Sequence, residues 1–100
     1  MGRARIPVPG PAVAEFCHRH HVTRLALFGS VLRDDFGPDS DVDVLVEFMP
    51  DHVPGFVFFE MEQELADILG RKVDLNTPQF LSRHFRERVL SEAETHYVAA

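Results

Sequence analysis

Residues 27–48 read LFGSVLRDDFGPDSDVDVLVEF, and this stretch decides the fold. It opens on the end of a run, VTRLALF, in which aliphatic and aromatic residues lead straight into Gly29. That pattern predicts a buried strand over Val22–Phe28 that ends in a turn. The middle, SVLRDDFGPDSD, is polar and rich in Asp, Gly and Pro, so it is a connection that can open with a helical turn at Ser30. The end, DVDVLVEF, alternates acid with aliphatic and then turns fully apolar, which predicts a second strand over Val42–Phe48.

Where that second strand begins, Asp41 and Asp43 stand at i and i+2. Both side chains therefore leave the same face, with Cα atoms roughly 6.5–7 Å apart. Val42 and Val44 leave the other face and can anchor the strand in a core. Asp74, between Val73 and Leu75 in RKVDLNTP, has the same setting on a further short strand and can converge on the first two acids. Such carboxylates suit hard divalent ions, which take oxygen ligands and share the charge of a transferring phosphate. Gly29 and Ser30, at a strand end and a helical start, offer backbone N–H groups and a hydroxyl to phosphate oxygens. Arg33, one turn on, is either a fixed positive charge for a triphosphate or the surface partner of Asp34, Asp35 or Asp39. Ser40 is counted with the nucleotide-binding positions, against the plainer reading that it caps a turn with Asp41.

Outward from this stretch, three prolines between Ile6 and Pro11 predict an extended entry and a helix from Pro11 to the His20-His21 pair, with Val13, Phe16 and Cys17 on its apolar stripe. A second helix is predicted over Phe56–Leu69, stopped by Gly70. The spacing of Phe85, Val89, Leu90 and Ala93 predicts a last helix over Phe80–Tyr97. The order is that of a small α/β (α+β) domain, a mixed sheet flanked by helices, and residues 1–100 are read as a single unit.

Composition narrows the function. A net charge of −6 speaks against gripping nucleic acid through its phosphates, whereas a nucleotide escorted by divalent cations remains compatible. One cysteine, the absence of a leader and apolar runs far short of the roughly 20 residues of a membrane span predict a cytoplasmic protein with no membrane association. The histidines His18, His20 and His21 are spread around a helix end and predict a solvated terminus in preference to a metal site. Arg83, Arg86 and Arg88 are assigned to the polar face of the last helix, and Phe56, Phe58 and Phe59 to the core, with exposure of any of the three pointing to a protein interface.

Neither D-x-D nor Gly-Ser is rare alone, but Gly-Ser followed after ten residues by D-x-D has a chance expectation of order 10⁻³ at this composition. With that spacing, LFGSVLRDDFGPDSDVDVLVEF resembles the minimal nucleotidyltransferase family of the polymerase-beta-like superfamily, and GRKVDLNTP extends the resemblance to Asp74 as the third carboxylate. The resemblance implies transfer of AMP from ATP with two Mg²⁺ ions at Asp41, Asp43 and Asp74. It also implies an antitoxin role, by adenylylation of a tyrosine on a HEPN-domain ribonuclease toxin. The alternative is an antitoxin that neutralises the same partner by contact alone. A homo- or hetero-oligomer is left open.

Overall fold

The computed structural model describes residues 4–99 as four strands, three α-helices and two short 3₁₀ turns. They follow as α1 (Gly10–Arg19), β1 (Val22–Phe28), a 3₁₀ turn at Gly29–Leu32, β2 (Val42–Phe48), α2 (Val57–Leu69), β3 (Val73–Asn76), a 3₁₀ turn at Pro78–Phe80, α3 (Arg83–Glu92) and β4 (Glu94–Val98). The sheet order is β3-β2-β1-β4; β2 and β3 run parallel, and the other neighbours are antiparallel. The sheet is therefore mixed, as the sequence predicts, and β1 and β2 have the predicted bounds.

Alternation along the strands divides the interior into two layers. Leu25, Leu27, Val42, Val44, Val46, Val73 and Leu75 share the main cluster with Val13, Phe16 and Cys17 of α1 and Phe58, Met61, Leu65 and Leu69 of α2. Each fully buried aliphatic or aromatic side chain in it contributes about 1.5–3 kcal/mol against exposure. Phe28, Leu45, Leu81 and Val89 form a smaller cluster, with Ala93 packed against it. Here α3 covers part of the opposite sheet face. Helices α1 and α2 are further joined through Glu64, which accepts from Arg19 and lies 3.0 Å from the His20 ring nitrogen. The Arg19 hydrogen bond holds the Glu64 carboxyl below its ordinary range against the opposing effect of burial, with a lesser contribution from His20.

Local chemistry explains the helix ends. Pro11 lies in the first turn of α1, where its missing N–H costs nothing, and Arg19 places positive charge at the end of the macrodipole. Gly70 closes α2 in the left-handed conformation, φ 68°, and donates its N–H to the Ala66 carbonyl. On the free side of β3 the Leu75 N–H donates to the Glu62 carboxylate at 2.8 Å.

Two expectations change. The last helix stops at Glu92, and Glu94–Val98 is a strand paired antiparallel to β1. Thr95, Tyr97 and Val98 prefer a pleated surface, and β1 would otherwise lie at an open edge. Of the three phenylalanines assigned to the core, only Phe58 is buried; Phe56 is 92% exposed and Phe59 71%. Both lie at the start of α2, and the rings of Phe59 and Phe80, the latter 68% exposed, stand edge-on to Phe58 at 6.5 and 5.5 Å. The histidines do not converge: His20 pairs with Glu64, His21 stacks on His52 at 3.9 Å, and His18 is exposed. Cys17 is buried, and desolvation pushes its thiol up to about 12, so it is an inert core residue. Among the described residues no helix is long and apolar enough to cross a membrane.

Candidate active site

The site is built on a single row across the sheet. Parallel pairing of β2 with β3 sets Asp43 beside Asp74, and antiparallel pairing of β1 with β2 sets Phe28 beside Asp43. All three belong to the face opposite the main core, because Val42, Val44, Val73 and Leu75 take the other side. Register thus brings together two acids that lie 31 positions apart in sequence.

Gly29 follows Phe28 with φ 75°, a conformation that glycine adopts freely and L side chains resist. It also makes room: a Cβ there would run into the carboxylate of Asp43, whose Cγ would lie 3.2 Å away. The chain then enters the 3₁₀ turn, which buries Val31 and Leu32 and leaves Ser30 half-buried and Arg33 outside. The Arg33 N–H donates to the Ser30 carbonyl at 2.9 Å.

Electrostatics single out Asp43. It is half-buried, and its pKa is raised from the ordinary 3.8 to about 6, first by desolvation and then by the charges of Asp74 and Asp41, with Arg33 acting in the opposite sense. Asp41 and Asp74 are exposed. Three carboxylates close enough to oppose each other's ionisation, next to a glycine that keeps space for a ligand, form a donor set that fits a hard divalent cation. Among the described residues no three His, Cys, Asp or Glu side chains are already gathered into a metal cage.

A cleft of about 240 Å³ opens beside this row, lined by Phe28, Gly29, Arg33, Asp43, Phe85, Arg88, Val89 and Glu92. One wall is apolar, with Phe85 edge-on to Phe28 at 6.5 Å, and the other carries Arg33 and Arg88. Arg33 lines the cleft and lies 3.5 Å from Asp35. Ser40 sits elsewhere: its hydroxyl accepts the Gly37 N–H at 3.0 Å, closing the turn that delivers the chain to Asp41. Phe85 and Arg88 are the residues that sequence reasoning missed. Helical periodicity places Arg88 on a polar face but gives no sign that α3 lies across the sheet and carries that face to Gly29.

The profile of a family described as nucleotidyltransferase domain matches residues 12–96 of this chain. The chain is 37% identical over 79 residues to the protein adenylyltransferase MntA of Thermococcus cleftensis, covering 78% of each. It is 46% identical over 59 residues to MJ0128 of Methanocaldococcus jannaschii, provisionally named a protein adenylyltransferase, and that match spans 57% of either chain. Among solved structures it resembles a toxin–antitoxin complex with AMP-PNP, at TM-score 0.73 and 20% identity over 91% of this chain and 74% of that one. It also resembles the complex of a tri-AMPylated HEPN toxin with an MNT antitoxin from Shewanella oneidensis, at TM-score 0.65 and 21% identity over 90% and 70%. At those identities the two structures establish the shared fold.

Proposed function

The chain belongs to the nucleotidyltransferase domain family, as a minimal nucleotidyltransferase of the protein adenylyltransferase kind, and from that premise we propose that it transfers AMP from ATP to a hydroxyl of a partner protein. The observation that carries the reading is the Asp43–Asp74 register pair with Gly29 under the Asp43 carboxylate. Asp41, Asp43 and Asp74 would hold Mg²⁺, which when bound neutralises phosphate charge and aligns the attacking and leaving oxygens.

The protein's own groups divide the remaining tasks. Gly29 and Ser30 present backbone N–H groups and a hydroxyl to the triphosphate, and Arg33 and Arg88 supply positive charge along the cleft. Phe28, Phe85 and Val89 exclude water from one wall. Asp74, exposed at the end of the row, accepts the proton of the acceptor hydroxyl. The acceptor oxygen then bonds to the α-phosphorus as the bond to the β-phosphate oxygen breaks, and pyrophosphate leaves.

The cleft measures about 240 Å³ and is assigned here to the nucleotide, so in this reading the partner brings its hydroxyl to the site. The resemblance of the motif points to a tyrosine on a HEPN-domain toxin, and the toxin–antitoxin complexes with the same fold support that choice of partner. The test is incubation of the chain with ATP, Mg²⁺ and a HEPN protein encoded beside it, read by mass spectrometry. An adenylyl increment on a tyrosine of that protein is expected. Its absence in a complex that forms, with an Asp41→Ala/Asp43→Ala variant still protecting cells, would refute the enzymatic reading.

A second reading, neutralisation by contact alone, is favoured by the exposed Phe56, Phe59 and Phe80. The same double variant separates the two, because it removes the metal ligands and leaves that surface intact.

A further inference from the structure

Gly70 ends α2 in the left-handed conformation and turns the chain back beneath the connection between β1 and β2. The next residue, Arg71, is half-buried, and its Nη2 donates to two backbone carbonyls of that connection, Gly37 at 2.6 Å and Ser40 at 3.2 Å. Its guanidinium also lies over the Phe36 ring, 4.5 Å from the centroid. The neighbouring peptide adds a third tie, from the Val42 N–H to the Lys72 carbonyl at 2.9 Å. Arg71 lies outside the cleft, in a separate surface hollow with Gln63, Asp67 and Gly70.

We propose that Arg71 is a positioning residue for the carboxylate pair, holding residues 36–40 so that Asp41 leaves the turn in register with Asp43. The proposal rests on the reading of Asp41 and Asp43 as metal ligands given above. Ser40 carries the carbonyl immediately before Asp41, and its hydroxyl and N–H are both committed to Gly37. The turn is thus closed on itself at its neck but joined to the body of the protein through Arg71. A guanidinium suits the task, because the two N–H groups of Nη2 serve two carbonyls while its flat face stacks on an aromatic ring. A lysine ammonium keeps donors for the carbonyls but has no flat face to lay on Phe36.

Partners that orient ligands typically influence metal affinity 10–100-fold. For the full chain carrying Arg71→Ala, the Mg²⁺ concentration giving half-maximal ATP binding should rise by about ten-fold or more, with ATP binding in the absence of Mg²⁺ within about two-fold of wild type. Hydrogen exchange at the Ser40 and Val42 amides should accelerate about ten-fold, while that of β1 stays unchanged. Arg71→Lys should fall between wild type and Arg71→Ala, and it supplies the comparison if the alanine variant does not fold. An unchanged Mg²⁺ midpoint in either variant, with wild type binding ATP in a Mg²⁺-dependent way, overturns the proposal. A wild-type protein that binds no ATP with Mg²⁺ overturns the reading of the site instead, and the exchange rates still decide whether Arg71 holds the turn.

Discussion

Replacing Asp43 with Asn should make this protein more stable and less active. The Asp43 pKa rises from 3.8 to about 6 in the folded chain. The folded state thus binds this proton more tightly than the unfolded state does. Below pH 3.8 the carboxyl is neutral in both states and folding carries no penalty. As pH climbs towards about 6, the folded chain loses stability relative to a neutral side chain, and above that the loss is complete. A displacement of about two units corresponds to about 3 kcal/mol at face value. Asp43 is only half-buried, so solvent screening reduces the stability at stake to about 1–2 kcal/mol.

Urea unfolding followed by circular dichroism, in buffer free of divalent ions, provides the measurement. At pH 7.5 Asp43→Asn should gain about 1–2 kcal/mol, or about 5–10 °C in Tm for a domain of this size. At pH 4.5 most of that gain should vanish. Adding Mg²⁺ with ATP should stabilise the wild type by mass action and leave the variant unmoved, and AMP transfer should fall by at least about 100-fold. A variant no more stable than wild type at pH 7.5, or equally stabilised at both pH values, would refute the idea that opposed carboxylate charge is stored here. The trade of stability for function would then lie elsewhere.

Gly29→Ala should cost about 1–3 kcal/mol and weaken ATP binding, because the methyl meets both a left-handed backbone and the Asp43 carboxylate; calorimetric ATP titration checks the second effect. Arg88→Ala should raise the Kd for ATP about ten-fold with little change in Tm, as expected for an exposed cation that meets phosphate. An unchanged Kd would return Arg88 to the polar helix face. Leu65→Ala, at a position with 0% exposure in the main core, should destabilise by about 2–5 kcal/mol in urea without moving the pH dependence of ATP binding.

Much of this was legible because the local and the tertiary preferences agree. Val22–Phe28 and Val42–Phe48 are dense in aliphatic and β-branched residues and meet turn-forming residues at the site end, so pairing had little left to adjust. Period-two geometry puts Asp41 and Asp43 on one face, whereas the place of Asp74 beside Asp43 is set by the register of β2 and β3 and was expected from the family resemblance, not from spacing. The tail was misread because Phe85, Val89, Leu90 and Ala93 keep helical spacing up to the point where β1 needs a neighbour, and that need is set by residues about 70 positions away. Phe85 and Arg88 were missed for the same reason: what a helical face touches depends on where the helix is laid. Phe56 and Phe59 show the reverse limit, since hydrophobicity alone does not say which side of α2 a ring occupies.

The hydrogen bond from Leu75 to Glu62 reaches beyond the strand that it braces. A fifth strand recruiting itself to β3 would need that same amide, and it would have to displace a charge-assisted bond and strand a carboxylate beside its own backbone. One border of the sheet is therefore closed to newcomers by a side chain, next to the acids that a fibril or a misplaced strand would smother. The other border, β4, lies two strands away from Asp43. A strand that extends this sheet is thus directed to the border away from the proposed metal ligands.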